Sequence, residues 1–344
     1  MTVDPDHSWH LFPGDREHTP SRLLDESTIL EYLRGRGTVA GADVHVRVLS
    51  GGVSNAVFLV EDGHRRIVVK QALPKLRVKA DWFADPARSQ VEAEALERLH
   101  AISPDAVPRV LDRDPDRHTL TICAAPSDWR SWKDDLLAGS IRSDVASRLG
   151  TLLSGWHTAT ERQSLSEALE DPRLFEQLRL EPYFGAAAVR RPELAADLDG
   201  LVRSIRSRRR CLVLGDFSPK NILVGDEGLW VIDLEVAHRG DPAFDVAFLL
   251  SHLAAKSVHV TGAAAAIGGA AGAFIGGYGT GPALDDEEHL VQVFAGLLLA
   301  RVYGSSPLEY LGADERALIA RRAKRQIHTP AHTIAESWKE ITGQ

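Results

Sequence analysis

The chain has 344 residues, 44% hydrophobic and 26% charged, with a formal net charge of −8 from 48 acidic and 40 basic side chains. These values exclude a collagen-like, disulfide-rich or wholly disordered chain. The acidic balance argues against a nucleic-acid partner, which selects a basic footprint, and the length predicts about two lobes.

Residues 1–20 are polar, and 21–34 (SRLLDESTILEYLR) predict a short helix with Leu23, Leu24, Ile29, Leu30 and Leu33 on its apolar side. Alternation then marks strands at 44–49, 56–60 and 66–70, with a turn cluster at SGGVSN (50–55) and a hairpin signal at Glu61-Asp62-Gly63-His64. A helix is predicted over 86–102, opened by Pro86. Strands at 109–112 and 119–123 flank the turn Asp114-Pro115-Asp116. Residues 124–132 read as the connection to a second, mainly helical lobe. In it, 143–159 form a helix capped by Ser143, with Val145, Leu149, Leu152, Leu153 and Trp156 inward, and 161–210 are helical with interruptions. Short strands at CLVL, NILV and LWVID precede a helix that Asp241 caps and Pro242 opens.

The organisation expected is an N-terminal extension and helix (1–37), a small lobe (38–125) and a large lobe (126–344). Residues 257–284 lack Asp, Glu, Lys and Arg, but they are dominated by Gly and Ala, which suit a helix packed closely against its neighbours better than a membrane span. The N-terminus lacks a basic start followed by an apolar run, and Cys123 and Cys211 lack CxxC spacing. A cytoplasmic protein with free thiols and no membrane contact is expected. The arginines at 203, 206 and 208–210 read as a solvated basic run.

The chemistry concentrates in CLVLGDFSPKNILV (211–224) and IDLE (232–235). Asp216, Asn221 and Asp233, spaced D-x4-N-x11-D between apolar runs, can supply a base and hard oxygen ligands for Mg²⁺, which borrows further ligands from substrate phosphates. Lys70 ends the strand IVVK, where a cation can neutralise nucleotide phosphates. A Glu on the helix 86–102 is its natural partner. Glu92 shares a face with Leu96 and Leu99, while Glu94 lies about 200° away, so Glu92 is chosen and Glu94 is the fallback. Glu235, two residues past Asp233, stands within reach of metal-bound water or substrate. The glycines of SGGVSN let backbone lie over a ligand, although the stretch matches neither G-x-x-x-x-G-K-[ST] nor G-x-G-x-x-G. Trp129 and Trp132 are candidates for an aromatic platform.

LVLGDFSPKNILV followed by VIDLEVAHRGDPAFDVAFLL resembles the motif of the aminoglycoside phosphotransferase superfamily, and VVKQALP with its basic loop is similar to methylthioribose kinases. The resemblance covers most of residues 44–311. It implies an α+β, two-lobed protein-kinase-like fold with a small antiparallel-sheet lobe and a larger helical lobe. It also implies ATP and Mg²⁺ as cofactors and a hydroxyl-bearing small molecule as acceptor: a sugar, an aminoglycoside or an amino alcohol. Asp216 would orient the acceptor hydroxyl, Asn221 and Asp233 would hold Mg²⁺, and Lys70 with Glu92 would meet the phosphates. Gly51, Gly52, Ser54 and Asn55 would cover the nucleotide, residues 121–125 would contact adenine, and Asp245 would brace the loop. The chain departs from the family at Leu214, where a His is frequent, and at Ser218-Pro219-Lys220, where methylthioribose kinases have His-Thr-Gly. Alternatives are a silent nucleotide-binding module or a protein kinase. The latter needs a long segment after its metal-binding Asp, and only seven residues separate Asp233 from Asp241.

Overall fold

The computed structural model describes residues 23–49, 54–77 and 82–344. Five antiparallel strands form the small lobe: β1 (Val44–Val48), β2 (Asn55–Asp62), β3 (Arg65–Ala72), β4 (Val110–Asp114) and β5 (Thr119–Cys123), in spatial order β1-β2-β3-β5-β4. Two residues join β2 to β3, and Gly63 takes φ +59 there, the backbone a tight hairpin demands. The β4–β5 turn is held by Asp114, whose Oδ1 accepts from Asp116 and Arg117 N–H groups at 3.1 and 3.2 Å.

Period-two alternation gives the sheet two faces. Ile67 and Val69 pack with Phe58 and Val60 against the helix α1 (Ile29–Gly35) and Leu24. The opposite face, carrying Val68 and Lys70, turns toward α2 (Arg88–Ile102). The helix expected from residue 21 starts at Ile29, after a turn in which the Asp25 carboxylate accepts from the Ser27 and Thr28 N–H groups. Such side-chain bonding competes with helix. The expected strand at 56–60 is longer, 55–62.

The large lobe is helical, apart from the two-stranded sheet β7 (Cys211–Val213) with β10 (His238–Gly240) and the three-stranded sheet β6 (Arg130–Ser131), β8 (Ile222–Val224), β9 (Leu229–Val231). α3 (Trp132–Leu137) follows β6, and α4 is Ser143–Thr160. Ser143 does not cap α4: it is the first helical residue, and the cap position falls to Arg142, with no side-chain bond. Asp241 does cap the helix Pro242–His259, accepting from Ala243 N–H at 3.0 Å. That helix is buried from Pro242 through Ser257.

The Gly/Ala-rich residues form one helix, Ala264–Tyr278, set off from the preceding helix by a sharp bend. Helices Pro242–His259 and Thr261–Tyr278 meet at 114°, and among the described residues no single helix is long and apolar enough to cross a membrane. Its small residues serve close packing: a Cβ on Gly150 would sit 2.1 Å from Phe274 O, and one on Gly277 would sit 2.1 Å from Ser147 O. The arginine run lies at the surface as expected, and most of it is also paired. Arg206 meets Glu176, Arg208 meets Asp286, Arg209 meets Glu170, and Arg210 meets Glu161 and Asp285.

Candidate active site

Lys70 reaches from β3 into the cleft between the lobes. Its Nζ lies 2.6 Å from Glu92 Oε1 and 2.7 Å from Asp233 Oδ1. Helical spacing puts Arg88, Glu92, Leu96 and Leu99 on one buried face of α2, whereas Glu94 accepts from Ser166 Oγ elsewhere. Burial works against the Lys70 charge, but Asp233 and Glu92 outweigh it and raise the pKa above the usual lysine range. Burial pushes Glu92 up to about 7 against the pull of Lys70. Asp233 is held below the usual carboxylate range, because Lys70 and Lys220 overcome its burial. One ammonium between two carboxylates therefore leaves Asp233 the firmly ionised one.

Asp233 has φ 68, a left-handed conformation that costs a non-glycine residue about 1–3 kcal/mol. The backbone on either side fixes it: Ile232 N–H donates to Asn221 O at 2.9 Å, and Ala237 N–H to Leu234 O at 3.0 Å.

After β7 the chain turns at Gly215, φ +72, where a Cβ would meet Val236 Cγ2 at 2.9 Å and Val236 O at 3.1 Å. Asp245 holds this turn from below. Its carboxylate accepts from Leu214 N–H at 2.7 Å and Gly215 N–H at 2.8 Å. His157 Nε2 stands 3.3 Å from Asp245, and His157 Nδ1 stands 2.9 Å from the Tyr278 hydroxyl. Leu214 is thus an apolar residue in the core whose backbone, not side chain, anchors the loop.

Asp216 is buried, with Oδ2 2.8 Å from Arg179 Nη2 and 2.9 Å from Lys220 Nζ. Arg179 also donates from Nε to Gly215 O at 2.9 Å. Burial raises the Asp216 pKa, but Arg179 and Lys220 more than offset it, and the carboxyl stays below its ordinary value. Asn221 donates from Nδ2 to Asp216 O at 3.1 Å, which turns its amide oxygen the other way. Lys220, a residue the motif left unassigned, is therefore a direct partner of Asp216.

Sequence reasoning missed Arg179. It lies on the π-helical turn Glu176–Gly185, which accommodates Pro182 inside the helix, and its partner is 37 positions away. It also missed Arg88, wholly buried, which donates to Glu235 Oε2 at 3.2 Å and Leu73 O at 2.8 Å and also to Ser54 O. Glu235 thereby ties the lobes together, with Arg88 and Asn55 Nδ2 (3.1 Å) both on its Oε2. Asn55 is likewise committed to Glu235 and Ser54 Oγ. Gly51 and Gly52 lie outside the described residues. In the 121–125 segment, Ala124 N–H donates to Arg66 O at 3.1 Å and Ala125 O accepts from Arg66 Nη1 at 2.9 Å.

The tryptophans form no platform. Trp132 is 1% exposed. Trp129 lies over the β8–β9 hairpin, where a Cβ on Gly225 or Gly228 would strike its ring, and stands edge-on to Trp230 at 5.6 Å. Asn221 and Asp233 supply oxygen donors, and among the described residues no group of three or more His, Cys, Asp or Glu is arranged to hold a metal alone.

Residues 45–284 match the phosphotransferase enzyme family. The chain is 28% identical over 263 residues to a methylthioribose kinase of Pectobacterium atrosepticum, covering 67% of this chain and 66% of that one. It is 24% identical over 275 residues to methylthioribose kinase 2 of Oryza sativa subsp. japonica, covering 70% and 64%. The match thus spans just under two thirds of these relatives. Among solved structures, an amicoumacin kinase in complex with AMP-PNP and Ca²⁺ superposes with a TM-score of 0.55 at 17% identity, over 90% of this chain and 96% of that one. A choline/ethanolamine kinase family protein from Mesorhizobium loti gives 0.52 at 17%, over 92% and 100%. Both likenesses establish the two-lobed α+β fold that the strand and helix order anticipated. With the match covering residues 45–284 of this 344-residue chain, the chain belongs to the phosphotransferase enzyme family.

Proposed function

We propose that the protein is an ATP-dependent small-molecule kinase that transfers the γ-phosphoryl group to a hydroxyl of a sugar-like or related acceptor. The observation that carries this reading is Lys70, on the small-lobe sheet, meeting both Glu92 and the large-lobe Asp233 within 2.7 Å. The naming of the sequence relatives as methylthioribose kinases supports a small hydroxyl acceptor.

The reaction is ATP + R–OH → ADP + R–O–PO₃²⁻ + H⁺. An acceptor O–P bond forms, the bond to the β-phosphate oxygen breaks, and the proton passes to Asp216. Such transfers rest mainly on position and charge neutralisation. Arg179 and Lys220 both occupy Asp216 Oδ2, which leaves Oδ1 for the acceptor hydroxyl. A lowered pKa keeps that oxygen charged at neutral pH. The amide oxygen of Asn221 and the ionised Asp233 are the ligands suited to Mg²⁺, which would neutralise phosphate charge when bound. Lys70 would then serve the α- and β-phosphates, positioned by Glu92, with Ser54 and Asn55 beside the nucleotide. The short link from Asp233 to Asp241 is folded as β10 against β7, which disfavours peptide docking.

Asp216→Asn tests the reading. Turnover is expected to fall about 10²–10⁴-fold with ATP affinity retained, read by coupled ADP release and nucleotide titration. Turnover like that of the wild type would refute it.

A further inference from the structure

The helix Pro242–His259 bears an unusual file of polar residues. At 100° per residue, Asp245, Leu249, His252 and Lys256 fall within about 60° of one another. The file starts at Asp245, beneath the Gly215 turn, and Lys256 lies about 16 Å further along the axis.

Lys256 is 1% exposed. Its Nζ has the Tyr310 hydroxyl at 3.5 Å and stands 5.1 Å from that ring. Among the described residues no carboxylate pairs with it. Glu315 lies beyond Tyr310 but is engaged by His259 at 3.1 Å and Gly312 N–H at 2.6 Å. His252 is also buried, and its Nε2 has no partner among the described residues. Its ring lies 5.2 Å from Phe248, which stacks on Tyr183 at 6.0 Å, and burial, helped by the positive charges of Arg301 and Lys256, holds it neutral. Burial lowers Lys256 to about 7, with Lys133 and Arg301 adding to the effect.

This cluster is continuous with the Asp216 site. Arg301 donates to the Tyr183 hydroxyl at 3.0 Å, and the Arg301 and Arg179 guanidiniums stand 5.3 and 5.8 Å from the Tyr183 ring. Arg179 in turn holds Asp216, as does Lys220. Arg301 Nε also lacks a partner.

An ammonium buried without a counter-ion costs several kcal/mol, and a methionine would fill the same volume without that cost. Buried polar groups left without partners, such as His252 Nε2 and Arg301 Nε, call for an explanation, and a bound ligand is one. We propose that the cluster is the acceptor subsite, and that the acceptor bears an oxyanionic group, held by Lys256 and Arg301 beside His252, as well as the hydroxyl to be phosphorylated. The assignment of that hydroxyl rests on the kinase reading above. A polycationic acceptor would meet the like charges of Lys256 and Arg301. Three of the acids at 285–288 are engaged elsewhere: Asp285 is paired with Arg210, Asp286 with Arg208, and Glu287 accepts from Ile334 N–H.

The test uses the full-length protein saturated with Mg·AMP-PNP, titrated calorimetrically with sodium sulfate, as wild type and as Lys256→Met. Sulfate is expected to bind the wild type and to bind K256M at least tenfold more weakly, with a melting temperature no lower than wild type to show that the variant is folded. No sulfate binding by the wild type, or equal affinity in both proteins, overturns the subsite. With ATP, matched acceptors of one carbon skeleton (D-gluconate, D-glucitol and D-glucosamine) are compared by ADP release, and gluconate is expected to have the lowest KM. The two readings fail separately. Phosphorylation of glucitol or glucosamine in preference to gluconate removes the oxyanion subsite and leaves the kinase. Lys256-dependent sulfate binding in a protein that turns over no ATP leaves the subsite and removes the kinase.

Discussion

Replacing Lys256 with methionine should make the protein more stable, and by a pH-dependent amount. The amine titrates near 10.5 when unfolded and near 7 in the folded chain, mainly through burial. Below pH 7 both states are charged and the folded state carries the full burial cost. Above 10.5 both are neutral and the cost is gone. Stability from this group therefore rises with pH across the window from 7 to 10.5, where the unfolded state binds more protons. A shift from 10.5 to about 7 corresponds to on the order of 5 kcal/mol at the acid end. Cys211, Tyr278 and Tyr310 are all raised, so they oppose this slope only as pH passes their unfolded values of 9.0, 10.0 and 10.0. The interval from pH 7 to 9 is free of them. Urea melts of wild type and K256M, at pH steps across that interval, measure the difference directly. The reasoning predicts that K256M is the more stable at pH 7 and that the gap narrows toward pH 9. A gap that is zero or negative at pH 7, or constant with pH, refutes it.

Arg179→Met should raise the Asp216 pKa, so that the base is ionised only at higher pH. The acid limb of the kcat/KM profile is then expected to move upward, and an unmoved limb would show that Arg179 does not tune Asp216. Asp245→Asn places an amide donor against the Leu214 or Gly215 N–H and should cost about 3 kcal/mol, measured by denaturant unfolding. A loss under 1 kcal/mol would mean the turn is held by other means. Gly215→Ala combines a positive φ with the contact to Val236, and should cost about 2 kcal/mol and lower kcat more than it changes the KM for ATP. Activity and stability equal to wild type would refute the argument from that turn.

The sheet was legible because alternation and glycine turns leave a periodic record: each expected small-lobe strand falls within two residues of its observed position at both ends. Asp216, Asn221 and Asp233 were legible because polar residues inside apolar runs contradict core packing. Glu92 followed from helical geometry alone. Arg179, Arg88 and the role of Glu235 were not legible, since an arginine in an amphipathic helix is ordinary until its distant partner is known. Lys256 did leave a signal, a lone cation in LLSHLAAKSVHV on the face that carries Asp245. The break near residue 260 left none, because Gly and Ala runs fix where helices can touch but not where they end.

The glycine seam between α4 and the helix Thr261–Tyr278 bears on how the protein opens. Backbone presses on backbone at Gly150 and Gly277, so neither helix can slide past the other without a clash. His157, from one side of that seam, meets Asp245, and Tyr278, from the other, meets His157. The loop of Asp216 and the helix bearing Lys256 are therefore mounted on one rigid block. Any breathing motion has to be taken up between the lobes, where the ion pairs of Lys70 with Asp233 and Arg88 with Glu235 must part. The rate of opening should consequently respond to substitutions at those ion pairs rather than to substitutions within the large-lobe core.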